Sequence, residues 1–253
     1  MFKQLRMIKE VIHKQFYYQH LKMSHPNLAH EYTKEHFAYN LCSKNEQMIN
    51  PNTGFDIVYQ ENKAYNLRLA ATKINHLIIN PHEVFSFWNC LKDVEDIAPY
   101  KDGLCIVKGE MQFVKGGGLC QLSNILFYLF LNGPFKIIER HNHQVLDFLD
   151  PNASLKGIDA TVAEGYLDLK VENIADYPIE IAIDFIEDHI FVSLRSKAKH
   201  DASFEVINKN LSYTHISGEQ FETVDVYRLK KHGEKVLSEE KLYTNVTKIL
   251  YEL

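Results

Sequence analysis

The chain has 253 residues, 45% of them hydrophobic and 24% charged, with a formal net charge of −5. This is ordinary globular composition, long enough for one large or two small domains with a sizeable core. The acidic balance excludes the basic footprint of a nucleic-acid binder, and no stretch approaches the ~20 apolar residues that span a bilayer. Charges interrupt the N-terminal MFKQLRMIKEVIHKQ every few residues, leaving no apolar leader core. A cytoplasmic location is therefore expected.

In chain order, residues 5–23 are predicted helical, because Leu5, Ile8, Val11, Ile12 and Phe16 share one stripe at helical spacing. SHPN at 24–27 and PNTGFD at 51–56 read as breaks. Residues 61–76 read as an amphipathic helix, with Leu67, Ala70, Ala71 and Ile74 on one face and Lys63, Arg68 and Lys73 toward water. VFSFW at 84–88 and LCIVK at 104–108 read as short strands, with Trp88 a packed aromatic. Leu122, Ile125, Leu126, Leu129 and Phe130 recur at i, i+3, i+4, i+7 and i+8, so 120–131 is a helix, which Gly133-Pro134 stops. KIIER at 136–140 is a further strand. Beyond about residue 160, YLDLKVEN, PIEIAIDFIE and HIFVSLR alternate with period two, the last two joined in a hairpin by a short acidic turn. FEVIN, TVDVYRL and KLYTNV continue the pattern, with His232-Gly233 as a turn. The class is α+β: a helical N-terminal segment (1–50), a mixed core around a glycine-rich turn and helix (51–165), and an antiparallel β-rich C-terminal region (166–253) packed on that core.

Of Cys42, Cys90, Cys105 and Cys120, no pair has CxxC spacing, so free thiols are expected and small buried apolar packing is the default for each. Cys120 differs in context. Gly116-Gly117-Gly118 opens backbone angles closed to other residues, just before the helix that Cys120 begins. Unpaired N–H groups and the positive dipole end at a helix start favour a thiolate and can hold a developing oxyanion. RHNH at 140–143 offers two imidazoles, His141 and His143, on one face of an extended chain. Either suits a general base for Cys120, and Asp159 suits its orienter. Glu139 and Arg140 add polar support, and Gln121 is an oxyanion candidate. Two other readings stand beside this one. The helix start can simply bind a carboxylate without turnover. Alternatively, Cys120, His141 and His143 can form an open zinc site, where the first reading needs no cofactor.

Together these segments carry a resemblance. NKAYNLRLAATKIN, NPHEVFSFW, VKGGGLCQLSN, IIERHNH and DATV, in that order, resemble the VanW-like family over roughly residues 51–186. The resemblance places Gly117, Gly118, Cys120, Gln121, Ser123, Arg140, His141, His143 and Asp159 on the family's motif positions. Family members were first noted in gene clusters for glycopeptide resistance, and similar domains occur beside cell-wall modules. It therefore implies a link to peptidoglycan and a small-molecule or peptide-like ligand such as a cell-wall precursor. After HNH this chain departs from many relatives with QVLDFLDPNASLKG, which predicts a different pocket rim.

Overall fold

A computed structural model describes residues 2–52, 54–107, 110–143, 145–146 and 155–250. The order is α1 (Phe2–Ser24), β1 (Glu31–Tyr32), β2 (Tyr39–Gln47), α2 (Val58–Ile74), β3 (Leu77–Ile79), β4 (Val84–Ser86), α3 (Phe87–Leu91) and a 3₁₀ turn at Val94–Asp96. It continues with β5 (Asp102–Val107), β6 (Glu110–Lys115), α4 (Leu119–Leu131), β7 (Phe135–Glu139), β8 (Val145–Leu146), β9 (Lys170–Asn173), β10 (Ile179–Ile186), β11 (His189–Ser196), β12 (Ala202–Ile216), β13 (Glu219–His232) and β14 (Lys235–Ile249). The fold is α+β.

A five-stranded sheet runs β1-β3-β10-β11-β2, with antiparallel pairs throughout. The acidic turn between β10 and β11 is the expected hairpin, with Glu187 at φ 52°. Strands from the first fifty residues and from 179–196 thus share one sheet, and the N-terminal segment is helical only to Ser24. β4-β9-β7 and β5-β6 form two smaller sheets, and β12, β13 and β14 form a long meander edged by β8. His232-Gly233 turns β13 into β14 as read.

Helix α4 runs through the core: Leu122, Ile125, Leu126, Leu129 and Phe130 are all buried. Each such side chain contributes about 1.5–3 kcal/mol by leaving water, so the stripe alone anchors the helix that carries Cys120. VFSFW divides differently from the expected strand. Ser86 accepts the N–H of Asn89 through its hydroxyl and caps α3, so the chain turns helical at Phe87. Trp88 is buried, with Nε1 donating to Leu167 O at 2.8 Å. Helix α1 reverses the usual arrangement. Leu21, Tyr17 and Tyr18 face the protein, whereas Ile8, Val11, Ile12 and Phe16 are exposed.

Candidate active site

The turn before α4 is set by close backbone approach. Gly118, at φ 95°, occupies the left-handed region as the helix N-cap, and Gly116 has φ 76°. A Cβ on Gly103 of β5 would lie 2.5 Å from Gly117 O, and one on Gly117 would strike Gly103 in turn. Lys63 packs its alkyl stem against Gly118, and burial pushes its amine down to about 8. Asn66, fully buried on α2, locks the turn: Nδ2 donates to Gly117 O (3.0 Å) and Lys101 O (2.9 Å), while Oδ1 accepts Lys101 N–H (2.9 Å). Asn66→Ala leaves three backbone partners unpaired and is expected to cost about 2–3 kcal/mol, read from urea denaturation.

Cys120 is the second residue of this helix and is partly buried. Among the other thiols with described side chains, burial pushes Cys42 up to about 12 and Cys90 further up. The imidazole in contact with the Cys120 side chain is His143. Its Nδ1 bonds Asp159 Oδ2 at 2.7 Å, and its backbone N–H donates to the same oxygen at 2.5 Å. Burial alone lowers the His143 pKa. Hydrogen bonds and charge from Asp159 and Cys120 outweigh it and raise the value to about 10, so the ring is held as imidazolium at neutral pH. Burial would raise the Asp159 pKa, but His143 and Arg140 together hold it below the usual range.

Arg140 fixes the carboxylate. Nη2 reaches Asp159 Oδ1 at 2.6 Å and Nε reaches Asp159 O at 2.6 Å, while Nη1 is held by Asn245 Oδ1 of β14 at 2.8 Å. The guanidinium lies over the rings of Tyr243 and Phe127. The segment carrying Asp159 is tied to α4 through Ala160, whose carbonyl accepts Ser123 Oγ–H (2.6 Å) and whose N–H donates to Asn124 Oδ1 (2.7 Å). Ser123 is thereby committed to the scaffold. The Gln121 amide donates to Gln47 O (2.8 Å) and Glu46 Oε2 (3.2 Å).

His141 lies elsewhere. Its Nε2 bonds Glu139 Oε1 at 2.9 Å, and Glu139 also accepts Lys170 and the N–H of Asp168. Cys120, His141 and His143 do not gather their ligand atoms at one point. Among the described residues, the single metal-like trio is His36, His76 and Glu180. There both Nδ1 atoms bond Glu180 Oε1, at 2.6 and 3.1 Å, with the rings stacked 4.3 Å apart and 21° from parallel. The trio holds the buried Glu180, whose Oε2 also accepts the backbone N–H of Phe37. Asn66, Asn245, Tyr243 and the Glu180 trio carry no local motif; only their partners in the fold mark them.

A cavity of about 1020 Å³ has Cys120 in its lining. Gly116–Leu119, Tyr100 and Trp88 form one side; His13, Lys14 and Tyr18 of α1 form the other. Lys14 and Tyr18 both bond Glu164, and His13 bonds Gly165 O at 2.9 Å, so α1 is fastened along the cleft. Residues 147–154, within the segment expected to alter the rim, lie outside the described residues.

Fold and site together define an α+β protein with a Cys–His–Asp constellation at a glycine-turned helix start. The chain belongs to the VanW-like family: the model described as "VanW like protein" matches residues 62–195. It is 40% identical over 210 residues to the vancomycin B-type resistance protein VanW of Enterococcus faecalis, covering 81% of this chain and 76% of that protein. It is 30% identical over 152 residues to the uncharacterized protein YoaR of Bacillus subtilis, covering 60% of this chain and 46% of that relative. No solved structure matches. The family match takes in the turn, Cys120, Arg140, His143 and Asp159, but not α1 or Asn245.

Proposed function

We propose that this chain performs thiol-dependent hydrolysis or acyl transfer on an amide of a peptide-like, cell-wall-derived substrate. Cys120 is the nucleophile, His143 the acid–base group and Asp159 its orienter. The observation that carries the reading is one imidazole hydrogen-bonded both to Asp159 and to the Cys120 side chain. A cation beside a thiol favours the thiolate. The sulfur attacks the carbonyl carbon and a C–S bond forms. The C–N bond then breaks as His143 gives its proton to the leaving amine. Water or an acceptor amine next displaces the sulfur, with His143 taking the incoming proton. N–H groups of the first helical turn stabilise the oxyanion of each addition. The substrate class rests on the family's tie to glycopeptide resistance, which the name of the E. faecalis relative carries.

The test is alkylation by iodoacetamide at pH 6.5, with Cys120 followed by mass spectrometry. Wild type is expected to react at least about tenfold faster than free cysteine, His143→Ala to lose that advantage and His141→Ala to keep it. Equal rates in wild type and His143→Ala overturn the reading.

A further inference from the structure

We propose that the outer face of α1 docks on an anionic lipid surface, independently of the chemistry at Cys120. Large apolar side chains on a protein's surface occur singly as a rule; a contiguous exposed stripe marks an interface. On α1, Ile8, Ile12 and Phe16 follow one another at i, i+4 and i+8, with exposures of 55%, 46% and 66%, and Val11 and Met23 are exposed at 56% and 82%. The opposite face holds the helix to the body through Leu21, Tyr17–Asp168, Tyr18–Glu164 and Lys14–Glu164. The stripe is therefore left over after the helix has packed.

Charge identifies the occupant. Residues 1–24 hold five of the chain's 28 basic residues (Lys3, Arg6, Lys9, Lys14, Lys22) and one of its 33 acidic residues, Glu10. A cationic helix on an otherwise acidic protein is matched to an anionic surface, and an apolar stripe bordered by Lys9 and Lys22 is the pattern of a helix lying in the headgroup plane. A second copy of this chain would bring two such cationic helices together. No helix among the described residues is long and apolar enough to cross a membrane, so α1 lies along the surface. Tyr166, exposed and stacked on His13 at 4.4 Å, places an amphipathic aromatic ring at the helix flank. Because Lys14, Tyr18 and Lys22 of the same helix line the cavity that Cys120 also lines, docking would set that cavity beside the headgroups.

The experiment is co-sedimentation of the full chain with vesicles of phosphatidylcholine alone and of three parts phosphatidylcholine to one part phosphatidylglycerol. Wild type is expected to bind the anionic vesicles, and binding is expected to weaken with added salt. The Ile8→Ser/Ile12→Ser/Phe16→Ser variant is expected to lose at least about tenfold in partition. Lys9→Gln alone is expected to lose about fivefold on the anionic vesicles. All four positions are exposed or lack described core contacts, so circular dichroism is expected to be unchanged. Absence of vesicle binding, equal partition to both compositions, or binding unmoved by the triple variant overturns the proposal. So does a wild-type dimer that the triple variant dissociates, seen by sedimentation velocity without vesicle binding; that result would give the stripe to a second copy.

Discussion

Gly117→Ala is expected to be the most damaging methyl group that can be added near the site, costing about 4 kcal/mol or more and leaving little folded protein at 37 °C. The added Cβ would fall well inside van der Waals distance of Gly103 carbonyl oxygen and carbon. Backbone cannot rotate away as the end of a long side chain can. Relief requires β5 and the turn to separate, and both are held. Gly117 N–H bonds Val114 O at 2.9 Å, and Asn66 ties Gly117 O to Lys101 across the gap. Values of this size arise from few causes, and steric overlap in a packed interior is one. Gly103→Ala enters the same contact from the other strand, where its Cβ would lie 2.5 Å from Gly117 O. The two substitutions thus oppose one approach, and the double variant is expected to be scarcely less stable than the worse single one. Urea denaturation of the three variants checks this; a single variant within about 1 kcal/mol of wild type would show that the turn yields, contrary to the account given of it.

Why the glycines are needed was only half legible in the sequence. Three in a row announced unusual backbone, and Gly116 and Gly118 do have positive φ. Gly117 is required for a different reason, its proximity to a residue fourteen positions earlier, and no local pattern encodes that. The α4 helix was legible because a stripe of five buried residues at helical spacing leaves no second interpretation. The same spacing in α1 gave the right element and an outward-facing stripe, since periodicity reports that residues share a face and is silent on what that face meets. VFSFW lost its last two residues to a helix because a serine cap outweighed β propensity. At the site, the choice between His141 and His143 was open in an H-x-H motif. The fold separates them through Glu139, which takes His141, and Asp159, which takes His143. Asn245, which steadies Arg140, arrives from β14, more than a hundred residues away.

Asp159→Asn is expected to cost about 3–5 kcal/mol near pH 6, the range for breaking a buried ion pair on one side, and to flatten a pH dependence that wild type has. The carboxylate uses Oδ1 to receive Arg140 and Oδ2 to receive both the backbone N–H and Nδ1 of His143. An asparagine has one acceptor oxygen. Whichever way its amide is turned, an NH₂ group opposes either the guanidinium, 9% exposed, or the His143 donors. For a chain of this length the loss corresponds to roughly 6–15 °C in thermal midpoint. The pH dependence follows from the two directions of shift. His143 has a folded pKa raised from 6.5 to about 10, so its contribution to stability is complete below 6.5 and is lost as pH rises toward 10. Asp159 is shifted down, so its contribution is present above the ordinary carboxylate value and is lost only as pH falls through its depressed folded value. Wild type is therefore expected to lose stability between pH 6.5 and 10, whereas Asp159→Asn, in which only Cys120 remains to raise His143, is expected to show a clearly shallower loss over that interval. Urea denaturation at pH 6.5, 8 and 9.5 measures both slopes. Parallel slopes would mean that Asp159 does not govern the charge on His143, and with that the acid–base role assigned to the ring would lose its physical basis.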